Sequence, residues 1–354
     1  MKLYADVGVV RIQEYILRTS GADEGQLRKR RGASRMISAA TDPGRFAGFY
    51  RNAETYQVEG VAHLASDDTT DPRGRVRSAM ATLRRELPQA YLSASWALAT
   101  DYEHARQIME ASKHGIRREN ADGTAGLLEW VPALREDAAA PSCKGCGASP
   151  QAIKDLCRDC CARDDRGAPS DRTGAGYGEG GAAGSPEDRA RRAAEKQVGR
   201  ALRRPKDLSA IGRAAVATGA KGNHVATVYA DGNNVGATFR AITDPSQARE
   251  LSRILDGAIK SAGCTALSRV VEACAGGQGA DLFPASVTVL AADDVLITVP
   301  APLGWDFVTT LIGAFNDEVQ SNLAALPDRL PSVTLTAGIV MYFCSAMWPA
   351  SGVV

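Results

Sequence analysis

Three aspartates in the C-terminal half of the chain have the residue type and spacing for metal-dependent chemistry. Asp231 ends a short apolar, β-branched segment at 225–230, and Asp293 and Asp294 lie between two further segments of that kind. Mg²⁺ or Mn²⁺ prefers carboxylate oxygens, and converging carboxylates need such ions to offset their repulsion. Two ions held in this way support nucleotidyl transfer, because one activates the attacking hydroxyl and the other stabilises the departing pyrophosphate. We predict that these aspartates are catalytic metal ligands, the alternative being an ordinary acidic turn.

The residues after Asp231 form a short loop with two glycines. The strand is followed directly by Gly232, Asn233, Asn234, Val235 and Gly236. Glycines let main-chain N–H groups approach an anion closely, so a triphosphate could be bound here without a Walker-type lysine. The sequence therefore predicts a nucleotide-binding loop beside the acidic site.

The elements around these residues have a recognisable order. A strand at 225–230 precedes a helix that begins with Asp244 and Pro245, and a hairpin of two strands then brackets Asp293 and Asp294. An amphipathic helix and a strand at 333–342 complete the order β-α-β-β-α-β. This order predicts a ferredoxin-like four-stranded sheet with both helices on one face, which sets Asp231 beside the hairpin turn.

The N-terminal part of the chain predicts a second folded unit. Apolar segments at 3–10, 56–64 and 90–99 alternate with helical patterns. The fold class is therefore α+β, with one domain on each side of a cysteine-rich segment.

Four cysteines in the middle of the chain have the spacing of a structural zinc site. Cys143 and Cys146 form one CxxC pair, and Cys157 and Cys160 form another ten residues later. Four thiolates at this spacing close a tetrahedral Zn²⁺ site and leave no open position for catalysis. Cys161 could replace Cys160 as the fourth ligand, and free cytosolic thiols are the alternative for the whole group.

Composition limits the partners of the chain. Its 354 residues carry a net charge of +1, so attraction to nucleic acid requires local basic clusters. One cluster lies at 28–35 and another on a predicted basic helix at 186–204, and both could also be solvated surfaces. Between them, residues 164–188 are rich in Gly, Pro, Ser and Asp, which predicts a disordered linker.

The ends of the chain favour a cytoplasmic protein. Asp6 and Arg11 interrupt the first apolar stretch, which excludes a secretory signal. Residues 332–354 contain no charged side chain and are long enough to span a bilayer, but their β-branched alternation and Pro349 favour a buried strand and a tail over a membrane anchor.

Four segments give the chain a resemblance to a known family. They are VYADGNNVGATF at 228–239, AADD at 291–294, TLTAGIV at 334–340, and VVRIQEYI followed by RRGASRMIS at 30–38. In this order they resemble the large palm-containing subunit of type III CRISPR effector complexes, which is related to GGDEF-type nucleotidyl cyclases. Asn233 stands where the family has an acid, and Ala291 and Ala292 replace the two glycines of its GGDD turn.

The resemblance implies a specific organisation and activity. It predicts two ferredoxin-like (βαββαβ) palm domains at 1–125 and 218–354, a zinc ribbon at 126–163, and a disordered linker with a basic helix at 164–217. The second palm would bind ATP, with Ala291 and Ala292 lining the site, and condense it into cyclic oligoadenylate. Its partners would be guide and target RNA and other complex subunits. The sequence contains no His-Asp pair of the kind that begins the family's nuclease domain, so no nuclease centre is predicted.

The departures from the family pattern keep other functions open. Two added methyl groups and the missing acid at Asn233 favour a degenerate palm that binds nucleotide or RNA as a scaffold. A regulator in which the zinc ribbon and the basic helix bind nucleic acid is a further alternative. The family continues past the second palm into a helical domain, so the chain resembles a truncated or minimal member.

Overall fold

Two antiparallel sheets organise the chain, which confirms the α+β class. The computed structural model describes residues 1–18, 26–56, 60–113, 120, 122–132, 141–147, 149–167, 185–216, 222–242, 244–277, 279–324 and 330–343. The first sheet has five strands and the second has four.

The first sheet is covered on both faces. Its strands are β1 Lys2–Val10, β2 Tyr50–Arg51, β3 Val61–Ser66, β4 Tyr91–Ala99 and β5 Ala125–Trp130, in the order β2-β3-β1-β4-β5. Its helices are α1 Ile12–Leu17, α2 Gln26–Ala40, α3 Pro72–Glu86 and α4 Tyr102–Lys113. Alternation along β1 buries Leu3 and Ala5 with residues of α2 and α3, while Tyr4 on the opposite face meets Tyr102 of α4.

The three predicted N-terminal strands correspond to β1, β3 and β4, although residues 57–59 lie outside the described part. The fifth strand, β5, was not predicted and extends this sheet across the expected boundary at residue 125.

Three helices follow the first sheet and precede the second along the chain. They are α5 Arg158–Gly167, α6 Pro186–Val198 and α7 Leu208–Ala214. The predicted basic helix is α6, which begins with a capping box between Ser185 and Asp188. Most of the segment that was expected to be disordered, residues 168–184, lies outside the described residues.

The second sheet contains the predicted strands and helices in the predicted order. Its strands are β6 His224–Asn233, β7 Ser286–Ala291, β8 Asp294–Pro300 and β9 Thr334–Phe343, in the order β7-β8-β6-β9. Its helices are α8 Val235–Ala241, α9 Pro245–Ala273 and α10 Gly304–Leu323, of which the short α8 was not predicted. The core of this domain joins α9, α10 and one face of the sheet.

The two sheets share a strand order. Numbered along the chain, the first four strands of each sheet lie in the order second, third, first, fourth, with the first strand in the interior. The two domains also touch, because β7 contacts α1 and α2 and its Val289 packs against the core of the N-terminal domain. The N-terminal domain therefore lies beside the sheet that carries the three aspartates.

No described helix is long and apolar enough to cross a membrane. The strand that was expected at 333–342 is β9, and the tail at 344–354, which belonged to the membrane-anchor alternative, lies outside the described residues.

Candidate active site

The three aspartates come together at one end of the second sheet. Strands β6 and β8 pair through Ala230 and Val295, so Asp231 and Asp294 follow as neighbours at the end of this pairing. Alternation along β6 buries Ala230 in the core and leaves Asp231 exposed on the opposite face. Asp293 lies in the turn between β7 and β8.

The carboxylates of this cluster, which we call the acidic site, repel one another. Burial raises the pKa of Asp293 to about 6, and the negative charges of Asp294 and Asp231 contribute to the rise. The pKa of Asp294 is also raised, first by burial and then by the charge of Asp231. A bound divalent cation would reverse this effect, because it stabilises the ionised form of each carboxylate.

Gly232 is held close to Asp293. A Cβ atom at Gly232 would lie 2.7 Å from the Cβ of Asp293 and 3.1 Å from its Oδ2. Only glycine fits here without displacing the aspartate. At Gly236, by contrast, the nearest atom to an added Cβ would be Nη1 of Arg240 at 3.5 Å, so no close contact requires this second glycine.

The two asparagines of the loop bind to the chain segment that includes β9. Asn233 donates from Nδ2 to Oγ1 of Thr334 at 3.1 Å and to Oγ1 of Thr336 at 2.6 Å. Asn234 has a left-handed φ of 64° and directly precedes α8, which begins at Val235. The side chain at position 233 is thus used to join β6 to β9.

The turn before the aspartates is strained at one residue. Ala292 has a left-handed φ of 56°, which glycine adopts at no steric cost and alanine does not. Its N–H donates to Oδ1 of Asp256 at 3.2 Å, and Asp256 is 1% exposed. Asp256 also pairs with Lys260 and accepts a hydrogen bond from the hydroxyl of Tyr56 at 2.8 Å. The preceding residue, Ala291, is buried.

The N-terminal domain also contacts the acidic site directly. Nε2 of Gln13 donates to Oδ1 of Asp294 at 3.2 Å, and the hydroxyl of Tyr229 donates to the same oxygen at 3.2 Å. Sequence reasoning missed Gln13, Tyr56 and Asp256. Asp256 carries a local signal, since it is an acid among the apolar residues of α9 with Lys260 four positions later, and Gln13 lies in the segment VVRIQEYI that supports the family resemblance.

The four cysteines form the predicted cluster. Ligand atoms of Cys143, Cys146, Cys157 and Cys160 all lie within 4.8 Å of one another, and Cys161 is not part of the group. Sγ of Cys143 accepts hydrogen bonds from the N–H groups of Gly145 and Cys157 at 3.2 and 3.1 Å. Such donors stabilise thiolates, so the cluster fits a structural Zn²⁺.

The acidic site is more open than the cysteine cluster. Three of the four cysteines are buried, whereas Asp231 is exposed and Asp293 and Asp294 are half-buried. Their donor set consists of carboxylate oxygens, which suits Mg²⁺ or Mn²⁺ with water and phosphate as further ligands.

The two predicted basic clusters are partly neutralised by acids on α6. Arg31 of α2 pairs with the buried Glu187 at 2.5 Å, and Arg35 pairs with Asp188 at 3.0 Å. Arg204 also pairs with Asp188. These arginines therefore hold α2 against the segment that links the two domains.

Comparisons with known proteins identify the fold. No family model and no curated protein matches the chain. Among solved structures, Csm1 of T. onnurineus is similar over 97% of this chain and 48% of its own, at 14% identity and a TM-score of 0.51. The Csm1-Csm4 cassette is similar in its complex with cA3, at 13% identity and a TM-score of 0.50. The cassette with one ATP gives 14% identity and 0.50. Each cassette match covers 97% of this chain and 50% of the other.

The chain spans about half the length of the Csm1 chains that it matches. Two of these structures contain Csm1 together with Csm4. The resemblance found in the sequence is thus confirmed as a likeness of fold: this chain has the fold of the Csm1 subunit of type III CRISPR complexes.

Proposed function

We propose that the chain is a metal-dependent nucleotidyltransferase that condenses ATP into a cyclic oligoadenylate. The observation that carries the proposal is the meeting of Asp231, Asp293 and Asp294 at the end of β6 and β8, where their mutual repulsion calls for divalent cations. The likeness to cassettes solved with ATP and with cA3 supports the choice of nucleotide.

We further infer that both domains are ferredoxin-like palms. The shared strand order supports this, because a βαββαβ chain whose strands are all antiparallel places its first and third strands at the centre of the sheet. The domain limits at 125, 163 and 217 remain predictions, with β5 added to the first domain.

The aspartates would hold two Mg²⁺ or Mn²⁺ ions, and these ions would supply activation of a 3′-hydroxyl and charge neutralisation for the departing pyrophosphate. Asp231 and Asp294 would present oxygens from adjacent strands, and the hydrogen bonds from Gln13 and Tyr229 would orient Asp294. The bare backbone at Gly232 leaves room for Asp293, and the adjoining loop through Gly236 would lie beside the triphosphate. The cysteine cluster would hold Zn²⁺ for structure.

We also propose that the chain works in an RNA-guided CRISPR-type complex in the cytoplasm. Its partners would be guide and target RNA and a Csm4-like subunit. The likeness to Csm1 in Csm1-Csm4 cassettes supports this proposal.

A second candidate is a degenerate palm that serves as a scaffold. Two observations favour it: the strained Ala292 in place of a glycine, and Asn233, whose amide is bound to threonines of β9 instead of offering an acid to a metal. Such a protein would bind ATP or RNA without turnover.

Incubation with labelled nucleoside triphosphates and Mn²⁺, with and without RNA, tests the two candidates. The catalyst consumes ATP, and the Asp293→Ala/Asp294→Ala protein does not. Asp317→Ala, which removes an exposed acid of α10, is the matched control and should retain full activity. Binding of ATP by the wild type without any product would refute the catalyst and establish the scaffold.

A further inference from the structure

Gln13 reaches the acidic site from a helix that depends on its surroundings. Helix α1, Ile12–Leu17, is only six residues long, and the residue before it, Arg11, has a left-handed φ of 56°. A helix this short has little stability of its own, so tertiary contacts must fix its position. The contact between Gln13 and Asp294 joins residues 281 positions apart.

Helix α1 packs on α2 and β7, and two side chains of α5 hold its buried tyrosine. Tyr15 is 1% exposed, and its hydroxyl donates to Oδ1 of Asp159 at 2.9 Å. Nη1 of Arg163 donates to the main-chain oxygen of Tyr15 at 2.8 Å, and its guanidinium lies 4.0 Å from the centre of the Tyr15 ring. Arg163 and Asp159 form an ion pair at 2.7 Å. Both ions are buried, so their positions must match closely.

Helix α5 is in turn attached to the cysteine cluster. Cys160 lies in its first turn, Cys157 directly precedes it, and Asp159 lies between these two ligands. The helix also packs tightly on α2, because a Cβ at Gly32 would lie 1.8 Å from the carbonyl oxygen of Arg163. Movement of the cysteines would therefore move Asp159 and Arg163, the two residues that hold Tyr15.

We propose that Gln13 is a positioning residue of the acidic site and that Zn²⁺ at the four cysteines controls its position through α5 and Tyr15. The connection runs from Cys157 and Cys160 through Asp159 to Tyr15, along α1 to Gln13, and across the domain contact to Asp294. The inference rests on the proposed function only in that Asp294 binds a divalent metal.

The physical effect of Gln13 is to select one orientation of Asp294. Two donors, Gln13 and Tyr229, bind the same carboxylate oxygen, which leaves Oδ2 to face a metal. Partners of this kind orient a ligand, and their loss lowers metal affinity by about 10- to 100-fold. Loss of zinc would loosen the contacts of α5 with Tyr15 and thereby displace the Gln13 donor without a change in the aspartates themselves.

The test measures Mn²⁺ binding to the full chain by electron paramagnetic resonance, which needs no turnover. Gln13→Ala should weaken binding about tenfold and change the spectrum of the bound Mn²⁺. The matched control is Gln107→Ala, whose amide binds Glu103 on the surface of α4, and it should leave affinity and spectrum unchanged. Tyr15→Phe keeps the ring under Arg163 and removes only the hydroxyl, so we expect a loss of about threefold.

A double-variant cycle tests the role of zinc. Cys146→Ser alters the least buried of the four ligands, and its zinc content is measured by mass spectrometry. It should weaken Mn²⁺ binding in the wild-type background and have no further effect in Gln13→Ala, because both changes remove the same contact. An equal loss in both backgrounds would overturn the proposal, as would normal Mn²⁺ affinity in Gln13→Ala.

Asp294→Ala separates this inference from the proposed function. Mn²⁺ binding that is insensitive to Asp294→Ala would refute both. Binding that requires Asp294 but is indifferent to Gln13 would refute the positioning role alone.

Discussion

Replacement of Gly232 by alanine gives a direct test of the packing at the acidic site. The added methyl group would lie 2.7 Å from Cβ of Asp293 and 2.8 Å from Cγ2 of Val235, both well inside van der Waals contact. Neither neighbour is the free end of a long side chain, so the aspartate or the backbone of the loop must shift. Overpacking of this kind costs about 1–3 kcal/mol. We expect Gly232→Ala to lower the free energy of unfolding by that amount.

The displaced Asp293 should also bind metal less well. Mn²⁺ affinity measured by calorimetry is expected to fall at least about tenfold, because a displaced carboxylate no longer has the position that metal coordination requires. Gly236→Ala is the matched control: its methyl group meets only Nη1 of Arg240 at 3.5 Å, within helix α8. Alanine in a helix stabilises it by about 0.5–1 kcal/mol relative to glycine. Urea unfolding of both variants measures the difference, and equal effects at the two glycines would refute the reasoning.

Three further predictions concern the turn. Ala292→Gly removes the steric strain of the left-handed φ and should raise the free energy of unfolding, measured by urea denaturation, by about 1 kcal/mol. If strain at this residue slows catalysis, the same substitution raises turnover. Asp256→Ala leaves the N–H of Ala292 and the partly exposed Lys260 without their buried acceptor, and should lower the free energy of unfolding by about 2–3 kcal/mol. An unchanged free energy of unfolding would show that other contacts hold the turn. The folded-state pKa of Asp293 is raised from 3.8 to about 6, so its ionisation opposes folding. Without divalent metal the free energy of unfolding should therefore fall as the pH rises from about 4 to about 6. Asp293→Asn should remove part of this pH dependence, and the affinity for Mn²⁺ should rise over the same pH range.

The second sheet was predictable because its pattern is local. The apolar segment at 225–230 and the two segments around Asp293 and Asp294 are each complete within a few residues, and their order determines which strands are neighbours. The four cysteines were equally predictable, because two CxxC pairs have the spacing of a tetrahedral four-cysteine zinc site. In both places the chemistry and the structural pattern coincide in sequence.

The remaining site residues could not be predicted, because their roles depend on contacts between distant segments. Gln13 lies in the segment VVRIQEYI, which supports the family resemblance but states no role for it, and its contact with Asp294 exists only after α1 has packed against the second sheet. Tyr56 reaches Asp256 across 200 positions. Asn233 was predicted as part of the nucleotide-binding loop, and its hydrogen bonds to two threonines depend on the register of β6 against β9.

In the part of the chain that the structure describes, the position of the first sheet that corresponds to Asp231 carries an apolar side chain. Residue Asp231 directly follows the last pair of β6 with β8, Ala230 with Val295. In the first sheet the residue after the last pair of β1 with β3, Gly8 with Val61, is Val9, which is buried and whose N–H donates to the carbonyl oxygen of Gly60. A valine cannot bind a cation, so that position of the first sheet serves packing. What the first domain supplies instead lies just beyond: α1 with Gln13 follows β1, and Tyr56 precedes β3. One domain holds the carboxylates and the other contacts the turn that bears them at Asp294 and, through Asp256, at Ala292.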